Sequence, residues 1–143
     1  MTTVKVWDVP TRVGHWALAL LVIAAVLSSE EKGVLYVIHV GSGLGAGMIV
    51  LFRLVWGLVG NGRARFGDFV RGWRTVRTYL LALLGLRPPR HIGHNPLGGW
   101  MVVALLAVVL LAAVTGVVSG GLLGPGPAEA AEEVHEALGS LIQ

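Results

Sequence analysis

Cysteine is absent from the 143 residues, which excludes disulfides, iron–sulfur clusters, thiolate zinc sites and any prosthetic group tethered through sulfur. Charge is nearly as scarce. Charged residues make up 13% of the chain, where soluble domains carry about 25%. The balance is basic, +3 with a pI near 10.0, yet it does not point to nucleic acid, because the arginines stand between apolar segments and not on a soluble face. A cleavable leader is not evident either. The first apolar run starts late and lacks a clean small-residue cleavage site, so the first helix is expected to stay. What fills the chain is apolar: 55% hydrophobic residues and a mean hydropathy of +0.75. Both departures from soluble composition point to lipid as the solvent. With no thiolate available, any transition-metal site must use the five histidines.

Apolar segments fall at about 13–28, 34–59, 97–123 and 133–143. One domain, 1–143, is expected: an all-α membrane protein built as a four-helix transmembrane bundle. The last segment is short. Eleven residues rise ~16 Å as a helix, against a hydrocarbon core of about 30 Å. The fourth helix is therefore expected to be incomplete, as in a truncated chain. Between the second and third segments, Phe66, Phe69, Val70, Trp73, Val76, Tyr79, Leu80 and Leu83 recur at steps of three and four with arginines among them. That pattern predicts an amphipathic helix over about 66–85, lying on the membrane surface and ended by Pro88–Pro89. Gly124-Pro-Gly-Pro127 is expected to form the loop before the fourth helix.

Lysine and arginine set the orientation. Lys5, Arg12 and the seven arginines between 63 and 90 stand on one side, and Lys32 alone on the other. The N-terminus and the 60–96 loop are expected to be cytoplasmic, and the acidic stretch Glu129 to Glu136 to lie outside.

Three histidines lie in three different apolar segments: His15, His39 and His135. Ionisable side chains inside spans are costly and mark function more often than packing. An isolated interfacial histidine has an ordinary hydrogen-bonding role about as often as a functional one. Three together, without cysteine, favour axial ligation of haem iron in the core of a bundle. His39 lies about 8 Å into its helix from the outer side. His135 enters from the same side at nearly the same level, at the start of its helix, so the two can share one haem. His15 belongs near the inner surface. After His39 come Gly41, Gly43, Gly45 and Gly47, with Gly43 one turn on. Small residues there suit either a flat macrocycle or close helix packing, and the two are compatible.

The stretches VWDVPTRVGHW (6–16), His39 with its glycine run, FRLVWGLVG (52–60), ARFGDF (64–69), GHNPLGGWM (93–101), Thr115–Gly116 and VHEALGSLI (134–142) resemble, in order, the bacterial cytochrome b561 and nickel–iron hydrogenase b-type cytochrome family. The resemblance implies four helices holding two b haems stacked across the bacterial inner membrane, N-terminus cytoplasmic. It implies that His39 and His135 ligate the outer haem and His15 the inner one. The partner of His15 would lie about four turns further along the fourth helix, beyond Gln143. His91 and His94 match an element that supplies no axial ligand. They are expected to order the start of the third helix, where Asn95 can cap and Pro96 take the first position; a quinone or proton-relay role is the alternative. Arg12, Arg53 and Arg74 are expected to pair with inner haem propionates, since guanidinium binds carboxylates bidentately.

The expected function is electron transfer between a redox partner and the quinone pool, through haems about 20 Å apart. The partner would be hydrogenase-like or, given the acidic outer segment, a basic cytochrome c-like protein. Competing readings are a stand-alone superoxide:ubiquinone oxidoreductase and a degenerate cytochrome serving as a structural subunit of a larger membrane complex. A transporter is poorly supported, because the third segment is almost purely apolar.

Overall fold

Proline and short polar caps start the helices. In the computed structural model, which describes residues 8–29, 33–60, 64–86, 89, 93–122 and 125–142, every regular element is helical. Helix α1 (Val9–Leu27) begins with Pro10 in its first turn and Asp8 as its cap, the carboxylate accepting from the Thr11 amide at 3.1 Å. It ends at Ser28, whose hydroxyl donates to the Ala24 carbonyl at 2.6 Å. Helix α2 (Val34–Val59) starts after Gly33, whose φ of 82° is one that glycine adopts without strain. Helix α5 (Pro96–Val117) repeats the α1 device: Asn95 accepts from the Gly98 amide at 2.7 Å, with Pro96 at the first position, as expected.

Helix α1 packs on α2, α2 on α5, and α5 on α6 (Pro125–Ile142). Glycines bring the first three close together. A methyl on Gly45 would lie 3.2 Å from Leu21 of α1, and one on Gly47 would lie 3.0 Å from Ala113 of α5. Among the described residues, three helices are long and apolar enough to cross a membrane: α1, α2 and the stretch Pro96–Gly120. Many of their large apolar side chains, including Leu20, Val37, Met48 and Leu105, face outward. Water would penalise such a surface, whereas lipid solvates it. The chain is an all-α membrane bundle.

Two elements differ from expectation. The fourth bundle helix begins at Pro125, not near 133, and runs 18 residues, or ~27 Å. Pro125 and Pro127 fall in its first turn, where backbone amides have no helical partner, so proline is tolerated. The segment read as a loop therefore feeds the helix. His135 consequently lies well inside α6 and not at its start. Before it, α5 widens into a π turn at Val118–Leu122, against which α6 packs.

The surface segment is two helices instead of one, α3 (Phe66–Phe69) and α4 (Trp73–Leu84). The break between them is held onto α5. The Trp100 indole donates to the Arg71 carbonyl at 2.8 Å, and the Phe69 carbonyl lies so near Gly99 that a methyl there would sit 2.5 Å from its oxygen. These contacts outcompete the helical continuation at Val70–Gly72. Past the break, α4 turns Val76 inward and leaves Trp73, Leu80 and Leu84 exposed beside Arg77.

Candidate functional site

His39 on α2 and His135 on α6 face each other. Their ring centroids lie 5.8 Å apart and the ring planes are perpendicular, at 90°. Each ring is anchored through the same nitrogen. His39 Nδ1 donates to the Ala25 carbonyl of α1 and His135 Nδ1 to the Ala112 carbonyl of α5, both at 2.8 Å. A carbonyl only accepts, so both Nδ1 atoms carry a proton, and in the neutral ring that leaves the lone pair on Nε2. That tautomer is the one a metal-ligating imidazole needs, and its second nitrogen is held as such ligands usually are. Among the described residues, no three His, Cys, Asp or Glu side chains gather as a bare-ion site requires. A pair supplies only two axial positions.

The backbone beside both rings is bare. A methyl placed on Gly43, one turn after His39, would meet nothing within 4 Å; Gly41 is open too, but on the far side of α2 from that ring. The glycine run thus divides: 45 and 47 serve helix packing, while 41 and 43 leave space. On α6, Gly139 stands one turn after His135 as Gly43 stands one turn after His39, and it too meets nothing within 4 Å. The sequence reading passed over Gly139, although the shared His-x-x-x-Gly spacing was its signal. Opposite, Gly116 of α5 makes room for the His135 ring: a methyl there would lie 2.9 Å from Cε1.

His15 stands apart from this pair, near the other end of the bundle. Gly14 is level with Ile49 of α2, which is ~15 Å along that helix from His39. His15, Arg12, Thr11, Arg53 and His94 line a cleft of about 400 Å³ between α1, α2 and α5. Arg53 reaches it from α2, its guanidinium 5.0 Å above the Phe66 ring and 5.9 Å from that of Phe69. Its Nη1 is buried without a hydrogen-bond partner, and so is the Thr11 hydroxyl. A buried guanidinium nitrogen left without an acceptor is suited to an anionic ligand. Arg74 is exposed on α4 and is not among the residues lining the cleft. His94 packs against Phe69 with centroids 5.0 Å apart; burial, and then the charge of Arg53, hold its pKa below the ordinary histidine value. His91 lies outside the described residues.

Asp8 closes this end. Its Oδ2 accepts from the Trp56 indole at 2.7 Å, tying the start of α1 to the end of α2. Burial pushes its pKa up, but hydrogen bonds from Thr11 and Trp56 and the charge of Arg53 outweigh that and leave it below the ordinary carboxylate value.

The prokaryotic cytochrome b561 family matches residues 6–143, nearly the whole chain. The chain belongs to that family. Its curated relatives include the probable Ni/Fe-hydrogenase 1 B-type cytochrome subunit of Escherichia coli K12, 29% identical over 118 positions covering 64% of this chain and 49% of that protein. The probable Ni/Fe-hydrogenase B-type cytochrome subunit of Azotobacter vinelandii is 28% identical over 123 positions, 68% of this chain and 50% of that protein. The chain spans about half the length of the curated relatives it matches. No solved structure matches it. The family is one of membrane cytochromes, and b-type haem is the group that membership implies. The histidine pair fits that group. Two imidazoles 5.8 Å apart, each with Nδ1 held by a backbone carbonyl, would hold one iron between them.

Proposed function

We propose that this cytochrome holds b haem at two levels and relays single electrons between a protein redox partner and the quinone pool of the bacterial inner membrane. The observation that carries the proposal is the facing pair His39 and His135, both with Nδ1 committed to backbone carbonyls and Nε2 free. These two imidazoles would hold the haem at the outer level, where Gly43 and Gly139 leave room for it. At the cytoplasmic level His15 would hold a second haem, with Arg12 and Arg53 placed to neutralise its carboxylates. Arg74 serves the membrane surface instead. Haem bound in these places supplies one-electron oxidation and reduction at iron.

The chain's own residues do the rest. Ala25 and Ala112 fix the imidazole tautomers and raise their basicity. Apolar α1, α2 and α5 keep water from the sites. The unpartnered Arg53 Nη1 places fixed positive charge where a carboxylate would sit, favouring whichever redox state carries more negative charge. The names of the E. coli and Azotobacter relatives support a hydrogenase as the protein partner.

Reoxidation by quinone tests this reading. Purified, haem-loaded protein is reduced and mixed with a soluble quinone analogue while its visible spectrum is followed. Rapid return of the oxidised spectrum is expected. A haem-loaded protein that stays reduced with quinone, yet reoxidises with ferricyanide, would remove the quinone assignment.

A further inference from the structure

Helix α5 carries no ligand in this scheme, yet it touches His135 at three points. The Ala112 carbonyl accepts from Nδ1 at 2.8 Å, and the Thr115 hydroxyl oxygen lies 3.4 Å from the same nitrogen. Gly116 faces the ring edge, where a methyl would lie 2.9 Å from Cε1 and 3.2 Å from Nδ1. The Thr115 hydroxyl spends its own proton on the helix behind it, donating to the Leu111 carbonyl at 2.8 Å, with that of Ala112 at 3.2 Å. Its lone pair is thereby left toward Nδ1, whose N–H is shared between Ala112 and Thr115. His39 has the single carbonyl of Ala25 by comparison. The two rings are thus held by different helices, α1 and α5, and they end up crosswise at 90°.

We infer that Thr115 and Gly116 are positioning residues which hold the His135 ring perpendicular to that of His39, and thereby set the magnetic signature and the potential of the haem the pair holds. The inference rests on the axial pairing proposed above. The physical links are two. The angle between axial imidazole planes fixes how the iron d orbitals split, so crosswise rings give a strongly anisotropic low-spin ferric signal and parallel rings a rhombic one. A second acceptor on Nδ1–H makes the imidazole a stronger donor, which stabilises ferric iron and lowers the potential. A side chain at position 116 must displace the ring. Val at 115 keeps the shape but removes the oxygen.

Electron paramagnetic resonance of the oxidised haem-loaded protein, combined with a redox titration, tests this. The pair's signal is the one lost in His39→Ala; if no haem is lost there, the pairing itself fails, and that outcome is separate from the present one. The wild-type signal is expected to be the strongly anisotropic type. Gly116→Ala should move it toward the rhombic type at unchanged haem content. Thr115→Val should raise the midpoint potential, and Thr115→Ser should restore it. Should Gly116→Ala not fold, the Thr115 pair of variants decides alone. A rhombic wild-type signal overturns the inference. So do an unaltered signal and potential in haem-replete Thr115→Val.

Discussion

Asp8 joins two helices with one carboxylate, one oxygen capping α1 and the other taking the Trp56 indole of α2. Its pKa lies below the ordinary value of 3.8, so the ionised form is favoured by folding. The stability it adds is present above the unfolded pKa and is lost as pH falls through the folded one. Asp8→Ala should cost about 1 kcal/mol near neutral pH through the lost cap, and should flatten the acid side of a stability-versus-pH curve measured in detergent. Asp8→Asn should keep the cap through its one oxygen and lose both the acceptor for the Trp56 indole and the acid dependence. An unchanged acid limb in both variants would show that Asp8 does not carry it. The juxtaposition of His39 and His135 was legible in the sequence, though from a start of α6 placed near 133; with Pro125 as the true start, His135 lies deeper in its helix than His39 does in α2. Their anchors were not. The carbonyl partners of His39 and His135 lie 14 and 23 residues away on other helices, and no periodicity encodes which backbone group a ring will meet.

At the scale of elements, the docking of the surface helices onto α2 and α5 turns on two glycines. The Phe66 ring of α3 lies directly over Gly57 of α2, and the Phe69 backbone lies against Gly99. Flexible side-chain ends could yield to a new methyl, but the carbonyl of Phe69 cannot. Gly99→Val should therefore lower stability by about 1–3 kcal/mol through overpacking. Gly67→Ala, where a methyl meets nothing within 4 Å, should be nearly neutral in the same thermal melt. Equal melting of the two variants would contradict the docking. The amphipathic repeat from Phe66 to Leu83 announced helix along the membrane surface but not its division, because the competing contacts, a hydrogen bond from Trp100 and the close approach of Gly99, come from some 30 positions on. The early start of α6 was hidden for a related reason. Pro-Gly-Pro marks a turn in most contexts, and only its place in a helical first turn makes it compatible with α6.

Across the whole molecule, the outward-facing apolar surface and the composition tell one story, and the membrane class was legible from hydropathy alone. Polarity along the bundle was also legible. The end carrying Asp8, Arg12, Arg53, α3 and α4 is rich in arginine, and the end carrying His39 and His135 is not. We propose that the arginine-rich end is cytoplasmic. Gly72 offers a probe, since a side chain there meets nothing within 4 Å. Gly72→Cys in this cysteine-free chain should resist an impermeant thiol reagent added to intact cells and react once the membrane is opened. Labelling in intact cells would reverse the orientation.

Haem content in the His39→Ala, His135→Ala and double variants, read from reduced-minus-oxidised spectra of purified protein, bears most directly on the facing pair. Each single substitution should remove the same haem, and the double variant should lose no more than either alone. Two singles that remove different haems, or a double variant that loses more than either, would show that these imidazoles do not share one iron.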